Sequence, residues 1–367
     1  MKRSKNIVAK IALLCVSILL IELALRIIPS PIQYSQWHEY GDPDSLLGVE
    51  IIPSTKNILR GPCFKSTVTT NSLGWRDRER TIVRIPGITR IAFLGDSYIE
   101  GAHVEYNETI TQKLEENLGK DKFEVLNFGL SSIGTVQQDI LYEYTVEEYD
   151  PDIVIASFYV NDVMNNHPEL EGSRLTYRNE SGELIHDRTH KSFDGLRKWL
   201  RVNSALFRLA KFSHKQIRNL MEPKEVEKEN HMPLGHPDEF AAYGPPPNDT
   251  WEEAWRDTEQ SILDLKARIE PDRKFFLLLV PSLVQTLSDP AKAITQEFGS
   301  PPADNFDPLY PHIRLTSFAE ENGIELIDPL PDFSQSLFLE CDGHWNSKGH
   351  EMVANKVYDA ISSSAEL

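Results

Sequence analysis

The segment from Ile91 to Gly101 places a serine directly after an apolar run. It reads Ile-Ala-Phe-Leu-Gly-Asp-Ser-Tyr-Ile-Glu-Gly, with Ser97 as its seventh residue. A strand that ends in Gly-Asp-Ser would present this hydroxyl at the C-terminal edge of a sheet, where open α/β sheets bind ligands. Aspartate and serine after a strand are also ordinary helix caps. The segment therefore indicates a nucleophile only if a base lies near it.

A second motif close to the C-terminus, Asp-Gly-His-Trp, supplies a candidate base. A serine hydroxyl needs an adjacent base to act as a nucleophile at neutral pH. His344 can accept the proton of Ser97, and Asp342 can orient the imidazole and stabilise its cation. Asn346 or Ser347 would serve as the cap of a final helix, but a cap does not explain the Asp-Gly-His sequence before it. We therefore expect a catalytic triad of Ser97, His344 and Asp342.

Two further apolar runs end in residues that could stabilise an oxyanion. Gly129 closes the run Asn127-Phe-Gly, and a glycine lets the backbone approach a ligand closely. Asn161, in Tyr-Val-Asn-Asp, could aim its side-chain amide at the same point. Each feature alone is ordinary turn chemistry. Together with Ser97 they predict an oxyanion hole, because acyl transfer needs preorganised donors at the developing charge.

The elements that must position these residues alternate between strand-like and helical patterns. The apolar runs that predict strands are Ile91–Leu94, Glu124–Phe128, Ile153–Tyr159, Phe275–Val280 and Ile324–Ile327. The helical patterns lie near 108–119, 136–148, 252–269, 311–322 and 347–361. Alternating strands and helices predict a parallel sheet in an α/β sandwich.

The polar stretch 162–250 interrupts this alternation and is interpreted as an insertion or lid. Within it, 192–220 has the pattern of an amphipathic helix that packs on the domain or contacts anionic lipid.

Taken in order, these motifs resemble the four sequence blocks of the SGNH (GDSL-type) hydrolase superfamily. The blocks are Gly95-Asp96-Ser97, then Gly129, then Asn161, then Asp342 with His344. The resemblance spans about residues 88–362 and implies a flavodoxin-like three-layer α/β/α fold. It also implies Ser97 as nucleophile, His344 as base, and an oxyanion hole formed by the backbone of Ser97, the backbone of Gly129 and the side chain of Asn161. It implies no metal and no cofactor.

The chain departs from the family pattern at two positions. The triad aspartate usually stands three residues before the histidine, where this chain has Cys341. The Asp-x-His spacing resembles the alginate-acetylation branch of the superfamily, and Asp328 is an alternative partner for the histidine. The third block usually begins with glycine, where this chain has Tyr159. A bulky residue at that position would narrow the acyl pocket.

The N-terminus has the pattern of a membrane anchor. Residues 7–28 are mostly apolar, long enough to cross a bilayer core of roughly 30 Å, and Lys2, Arg3 and Lys5 precede them. The positive-inside rule then places the rest of the chain outside the cytoplasm. A cleaved signal peptide is the alternative, although Leu-Arg-Ile-Ile-Pro is a poor cleavage site. The predicted organisation is an anchor over 1–28, a linker and irregular segment over 29–87, and a hydrolase-like domain over 88–367.

Composition limits the partners of this chain. The formal net charge is −18 and the isoelectric point is near 5.1. An acidic surface repels phosphate backbones, so nucleic acid is not an expected partner. Three cysteines are too few for a disulfide scaffold, and no Cys-x-x-Cys pair suggests zinc. Cys63 and Cys341 could pair in an oxidising compartment, which the sequence leaves open.

These observations predict a membrane-anchored, extracytoplasmic serine esterase or O-acyltransferase that acts on acyl esters of carbohydrate. Trp251, Trp255 and Trp345 could stack on sugars, although packing in the core is the more ordinary role. A lipid-directed esterase and a non-catalytic, membrane-tethered binding protein with the same fold are the alternatives. The sequence leaves the substrate, the acceptor and the oligomeric state open.

Overall fold

The computed structural model comprises two compact units. It describes residues 10, 13, 16–25, 38–40, 45–172, 175–179, 181–186, 200, 204–207, 209–210, 234–235 and 237–364. One unit combines 37–188 with 230–367 and contains all the predicted site residues. The other combines 1–36 with 189–229. The boundaries predicted at 28 and 87 remain predictions.

A five-stranded parallel sheet forms the centre of the larger unit, in the order β11-β10-β7-β5-β6. The strands of the chain are β1 (His38–Tyr40), β2 (Val49–Ile51), β3 (Lys56–Arg60), β4 (Lys65–Thr69), β5 (Thr89–Gly95), β6 (Phe123–Gly129), β7 (Ile153–Phe158), β8 (Thr176–Arg178), β9 (Leu184–His186), β10 (Lys274–Leu279) and β11 (Glu325–Ile327). All five predicted strands are present in the parallel sheet, which confirms the α/β class.

Along the chain, β5, β6, β7, β10 and β11 are the first to fifth strands of this sheet. Their order in the sheet, starting from the β6 edge, is therefore 2-1-3-4-5, which is the flavodoxin-like order. In such sheets the direction of winding reverses between the first and third strands, here β5 and β7, and ligands bind outside the strand ends at that point. Ser97 follows β5 and Asn161 follows β7. The topology therefore brings the first and third sequence blocks to the same edge.

Helices cover this sheet. Those with defined bounds are α1 (Ser97–Glu100), α2 (Ile110–Leu118), α3 (Thr135–Leu141), α4 (Asp162–Asn165), α5 (Pro168–Glu171), α6 (Asp249–Arg268), α7 (Pro290–Phe298), α8 (Tyr310–Glu321) and α9 (Ser347–Ser364). Helix α2 packs against α9, and α3 against α6. Strands β6 and β7 are buried along their whole length, which explains their mostly apolar sequences.

The segment predicted as irregular, 29–87, contains four short strands. Strands β1 and β2 pair antiparallel, as do β3 and β4. These strands are only 3 to 5 residues long. Buried positions of β3 and β4 include the polar Asn57 and Ser66, whereas the apolar Ile58 is exposed, so the sequence shows no clear alternation of apolar and polar residues. A third hairpin, β8–β9, lies in the stretch interpreted as an insertion.

The smaller unit includes part of the predicted anchor. Residues 16–25 are helical, and apolar side chains such as Leu19 and Leu23 are exposed. The Glu22 carboxylate accepts hydrogen bonds from the Ser204 hydroxyl and from the backbone N–H groups of Ala205 and Leu206, at 2.8 to 2.9 Å. Among the described residues, no helix combines the length and apolar character that crossing a bilayer requires. The rest of the predicted anchor and most of the amphipathic stretch 192–220 lie outside the described residues.

An unusual buried cation stabilises the amino end of β5. The Arg90 side chain is fully buried and its Nε donates to Glu124 Oε2 on β6 at 2.9 Å. Its Nη atoms donate to four backbone carbonyls of the flanking loops, those of Thr81, Ile82, Val83 and Tyr149. Every nitrogen of the guanidinium therefore has an acceptor, which compensates for the loss of hydration.

We predict that Arg90→Met lowers the free energy of unfolding by about 3–5 kcal/mol, because Glu124 and four carbonyls lose their donor in a buried site. Urea unfolding monitored by circular dichroism measures the change. Arg256→Met is the matched control, because Arg256 is exposed and its 3.4 Å ion pair with Glu253 is on the surface; it should change stability by less than about 0.5 kcal/mol. Equal changes in the free energy of unfolding for the two substitutions would contradict the stabilising role assigned to Arg90.

Candidate active site

The turn from β5 into α1 positions the candidate nucleophile. Ser97 is the first residue of α1, and the Asp96 side chain caps this helix by accepting from the Tyr98 N–H at 2.9 Å. The helix ends after one turn at Gly101, which adopts the left-handed conformation with φ 65°. The Ser97 hydroxyl is thus held at the carboxyl end of a central strand by a short, capped helix.

Two glycines let this helix lie directly on the sheet. Gly95 and Gly129 end the neighbouring strands β5 and β6 in register. A Cβ on Gly129 would lie 2.2 Å from the Glu100 nitrogen, and one on Gly95 would lie 2.0 Å from the Ser157 Oγ. Because backbone atoms cannot yield as a flexible side chain does, Gly129 is required by close packing rather than by an unusual φ.

The structure brings Ser97, His344 and Asp342 into one hydrogen-bonded chain. The Ser97 Oγ lies 2.8 Å from His344 Nε2, although 247 positions separate them in sequence. His344 Nδ1 hydrogen-bonds Asp342 Oδ1, and the His344 backbone N–H donates to the same oxygen at 3.3 Å. Burial would raise the pKa of Asp342, but the hydrogen bond and charge of His344 bring it below its ordinary value. This carboxylate therefore stays ionised beside the imidazole.

Three attachments hold the loop that carries Asp342 and His344. A disulfide joins Cys341, next to Asp342, to Cys63 in the turn between β3 and β4. The Tyr98 hydroxyl donates to the Gly343 carbonyl at 2.9 Å. The buried Trp345 donates from Nε1 to the Pro281 carbonyl at 3.2 Å. The loop is thus fixed to the β3–β4 hairpin, to α1 and to the segment that follows β10.

The residues that follow this loop, and the alternative aspartate, have structural roles. Asn346 Oδ1 accepts from the N–H groups of Lys348 and Gly349, which makes it the cap of α9 as the sequence suggested. Asp328 does not approach His344. Its Oδ1 accepts from the Leu330 N–H at 2.9 Å and lies 3.6 Å from His312 Nε2.

The predicted oxyanion donors differ in whether they already have a hydrogen-bond partner. The Gly129 N–H already donates to the Asn127 side chain at 2.9 Å, so it would have to exchange this acceptor to bind an oxyanion. The Asn127 amide in turn donates to the Ile99 carbonyl at 3.1 Å, which ties the end of β6 to α1. Asn161 stands at the start of α4, and its Oδ1 is buried with no hydrogen-bond partner among the described residues.

Tyr159, at the position where the family pattern resembled by the sequence has glycine, packs against α1, the helix that begins at Ser97. Its ring lies 4.6 Å from the Tyr98 ring. Burial raises the pKa of both tyrosines well above the ordinary value, so both remain neutral donors. Tyr159 thus packs on Tyr98, whose hydroxyl donates to the Gly343 carbonyl, and these contacts connect the end of β7 to the Asp342–His344 loop.

Two residues that the sequence reading did not identify lie at this site. His103 stacks on His344, with ring centroids 3.9 Å apart. Arg76 is buried, and its guanidinium donates to the carbonyls of Glu100, Gly101 and Val104, in the loop that carries His103. Neither residue belongs to a recognisable motif, so only the folded geometry reveals them.

His103, Asp342 and His344 are also metal-ligand types, and one ligand atom from each lies within 4.8 Å of the others. Both nitrogens of His344 already contact Ser97 and Asp342. A metal bound by this set would therefore displace the hydrogen bonds that the acyl-transfer geometry uses.

Two buried carboxyl groups lie beneath the site. Asp96 Oδ2 and Asp162 Oδ1 are buried with no hydrogen-bond partner among the described residues. Burial raises the pKa of Asp96 to about 6, and burial together with the charge of Asp96 raises that of Asp162 well above its ordinary value. Each carboxyl is therefore harder to ionise than an ordinary aspartate, because burial penalises its charged form.

We predict that Asp96→Asn becomes more stable relative to the wild type as pH rises from about 4 to about 6. The raised pKa means that the folded protein binds more protons than the unfolded chain in this window, so the wild type loses stability as pH rises. The relative gain should be on the order of 1–3 kcal/mol. Asparagine still caps α1. Chemical unfolding at several pH values measures the effect.

Asp289→Asn is the matched control for this prediction. Asp289 caps α7 in the same way, accepting from the Lys292 N–H at 3.0 Å, but at the surface. A pH-independent difference between Asp96→Asn and the wild type would refute the buried-carboxyl interpretation.

The sequence has no match among family models or curated proteins. Solved structures similar to this chain include esterases and lipases. Est24, a carbohydrate acetylesterase from Sinorhizobium meliloti, has 10% identity and a TM-score of 0.39, over 76% of this chain and 100% of that one. A GDSL-like lipase from Bacteroides thetaiotaomicron has 11% identity and a TM-score of 0.37, over 77% and 92%. The acetyl xylan esterase AlAXEase has 16% identity and a TM-score of 0.37, over 74% and 99%. With TM-scores below 0.5, these similarities carry no inference about the site, which rests on the geometry above.

Proposed function

We propose that this chain is an SGNH-type serine ester hydrolase or acyltransferase. The observation that supports the proposal is the Ser97–His344–Asp342 chain, with its 2.8 Å contact between hydroxyl and imidazole. Its three members come from two distant sequence blocks, and their hydrogen bonds support the roles of nucleophile, base and orienting carboxylate proposed for them. A packed core needs no such chain at the carboxyl edge of a sheet.

In the first step, the Ser97 Oγ attacks the carbonyl carbon of an ester. The hydroxyl proton passes to His344 Nε2 as the new C–O bond forms, and the carbonyl oxygen becomes an oxyanion. Asp342, held at Nδ1, stabilises the imidazolium that results. When the tetrahedral intermediate collapses, the bond to the alcohol breaks and His344 protonates the departing alkoxide.

In the second step, water or another hydroxyl attacks the acyl group on Ser97. His344 accepts the proton of that nucleophile and returns a proton to Ser97 Oγ as the acyl–serine bond breaks. The product is a carboxylic acid if water attacks and a new ester if an alcohol attacks. Asn161 and the backbone of Ser97 and Gly129 are the proposed oxyanion donors, with Gly129 releasing Asn127 as it engages.

Acyl esters of carbohydrate, with a short acyl group, are the proposed substrates. The family resemblance supports the carbohydrate half of this statement. The short acyl group is supported by Tyr159, whose ring occupies space beside Tyr98 that a glycine would leave open. Trp251, Trp255 and Trp345 are all at most 7% exposed, so core packing is their role in the structure rather than sugar stacking.

We further propose that the catalytic unit faces an extracytoplasmic space, tethered by the N-terminal segment. The apolar stretch 7–28, preceded by lysine and arginine, supports the tether. The disulfide between Cys63 and Cys341 supports the location, because such bonds form and persist in oxidising compartments.

We predict that Ser97→Ala and His344→Ala each reduce kcat on a p-nitrophenyl acetate substrate by at least about 1,000-fold. Asn161→Ala should reduce it about 100-fold through loss of one oxyanion donor. Steady-state kinetics and labelling of Ser97 by a fluorophosphonate, mapped by mass spectrometry, provide the measurements. Ser334→Ala, at an exposed serine, is the control and should behave as the wild type.

The alternatives predict different outcomes of this experiment. A binding protein with the same fold would give neither turnover nor labelling of Ser97, and that result would overturn the enzymatic proposal. A lipid-directed esterase would prefer p-nitrophenyl esters with long acyl chains over the acetate. Transfer, in contrast to hydrolysis, would give a new ester when an acceptor sugar is added.

The proposed location predicts the state of the three cysteines in the full chain expressed in a bacterial host. If the cells are quenched in acid and the protein is denatured and alkylated, we expect one alkyl group, at Cys15, before reduction and three after it. Cys15 lies outside the disulfide and is therefore an internal control for alkylation. Three alkyl groups before reduction would indicate a reducing compartment and contradict the proposed location.

A further inference from the structure

His103 is the closest ring neighbour of the candidate base. It lies two residues beyond Gly101, where α1 ends, and its ring is stacked on His344 at 3.9 Å with 20° between the planes. Its Nε2 lies 3.7 Å from Asp342 Oδ2, the oxygen that does not bind His344 Nδ1. His103 thus contacts both members of the Asp–His pair.

The loop that carries His103 is held rigidly. The Arg76 guanidinium donates to the carbonyls of residues on both sides of it, at 3.0 Å to Glu100 and 2.6 Å to Val104. The Phe64 ring packs edge-on against His103 at 5.1 Å, next to the disulfide. Only 14% of the His103 side chain is exposed. Such a ring cannot move aside without breaking contacts made by three other parts of the chain.

His103 also remains uncharged beside a residue that must acquire charge. Burial and the positive charge of His344 lower the pKa of His103 to about 3, against the opposing effect of Asp342. The titratable and charged groups that face it are Glu100, Arg76, Asp342, His344 and His350. A neutral ring in this position supports His344 by packing and does not repel the imidazolium that forms during acyl transfer.

We propose that His103 is a positioning residue that fixes the ring plane of His344 by stacking on it, so that Nε2 points at Ser97 and Nδ1 at Asp342. This inference rests on the proposed function of the triad. Misplacement of a catalytic group by about 1 Å can cost about 100-fold in rate. A rigid neighbour on the ring face is therefore expected to influence kcat rather than KM.

Three substitutions in the full chain test this role, with labelling of Ser97 by a fluorophosphonate as the readout. In that reaction the Ser97 Oγ–P bond forms, the P–F bond breaks, and the hydroxyl proton passes to His344 as fluoride leaves. His103→Gln keeps polarity without a ring and should slow labelling about 10- to 100-fold. His103→Phe keeps a flat ring and should retain the wild-type rate within about threefold. Circular dichroism verifies that each variant is folded.

His103→Glu adds a second measurement, the pH dependence of the labelling rate. This dependence should not change if His103 only stabilises the fold. A carboxylate stacked near His344 stabilises the imidazolium, so the base is lost at higher pH and the acid limb of the labelling-rate profile shifts to higher pH. His167→Gln is the matched control, since His167 is similarly buried, lies at α5 and contacts no triad residue in the described chain. It should leave both rate and profile unchanged.

The inference is overturned if a folded His103→Gln labels at the wild-type rate, if His103→Phe is as slow as His103→Gln, or if the acid limb of His103→Glu coincides with that of the wild type. A wild type that is not labelled at Ser97 at all contradicts the proposed function instead. The two failures are therefore distinguishable in one set of measurements.

Discussion

The site depends on a close approach between the backbone of α1 and the end of β6. The Glu100 nitrogen would lie 2.2 Å from a Cβ on Gly129, so only glycine allows the helix to leave β5 at this angle. The Asn127 side chain fastens the same contact by donating to the Ile99 carbonyl. This packing fixes the position of α1, which carries Ser97. It sets the direction of Ser97, the turn at Gly101, and the course of the loop that brings His103 back over the site.

The other half of the site is a loop without regular structure, and its precision comes from its attachments. The disulfide at Cys341, the hydrogen bond to Gly343 and the indole of Trp345 act at three nearly successive positions. Each attaches the loop to a different part of the chain. A loop held in this way can place a histidine within hydrogen-bond distance of a serine on another element, which a mobile loop could not do reproducibly.

The sequence indicated the sheet and the three residues of the candidate triad because both leave local signals. The five strands of the parallel sheet are mostly apolar runs, and the blocks at Ser97 and His344 stand immediately after or before predicted elements. The sequence did not reveal the strands of 37–70, which are too short for periodicity. It also did not reveal His103, Arg76 or the occupied N–H of Gly129, because those contacts exist only after distant segments pack together. The carboxylate partner of His344 was only partly predictable. The sequence offered Asp342, with Asp328 as the alternative, and in the structure Asp342 is the one that hydrogen-bonds the ring.

The charges around the triad favour a proton acceptor at His344. Burial lowers the pKa of His350 to about 3, as it does for His103, so neither neighbouring imidazole competes for a proton or repels a cation. Arg76, whose pKa burial lowers to about 10, remains a cation, but its Nη atoms are directed at backbone carbonyls. The group that hydrogen-bonds the ring is the carboxylate of Asp342. A ring between a hydroxyl and an ionised carboxylate, with neutral imidazoles close by, has the electrostatic surroundings that stabilise a transient imidazolium. A passive binding site would have no need of this arrangement, and for that reason the charges, as well as the distances, favour acyl transfer.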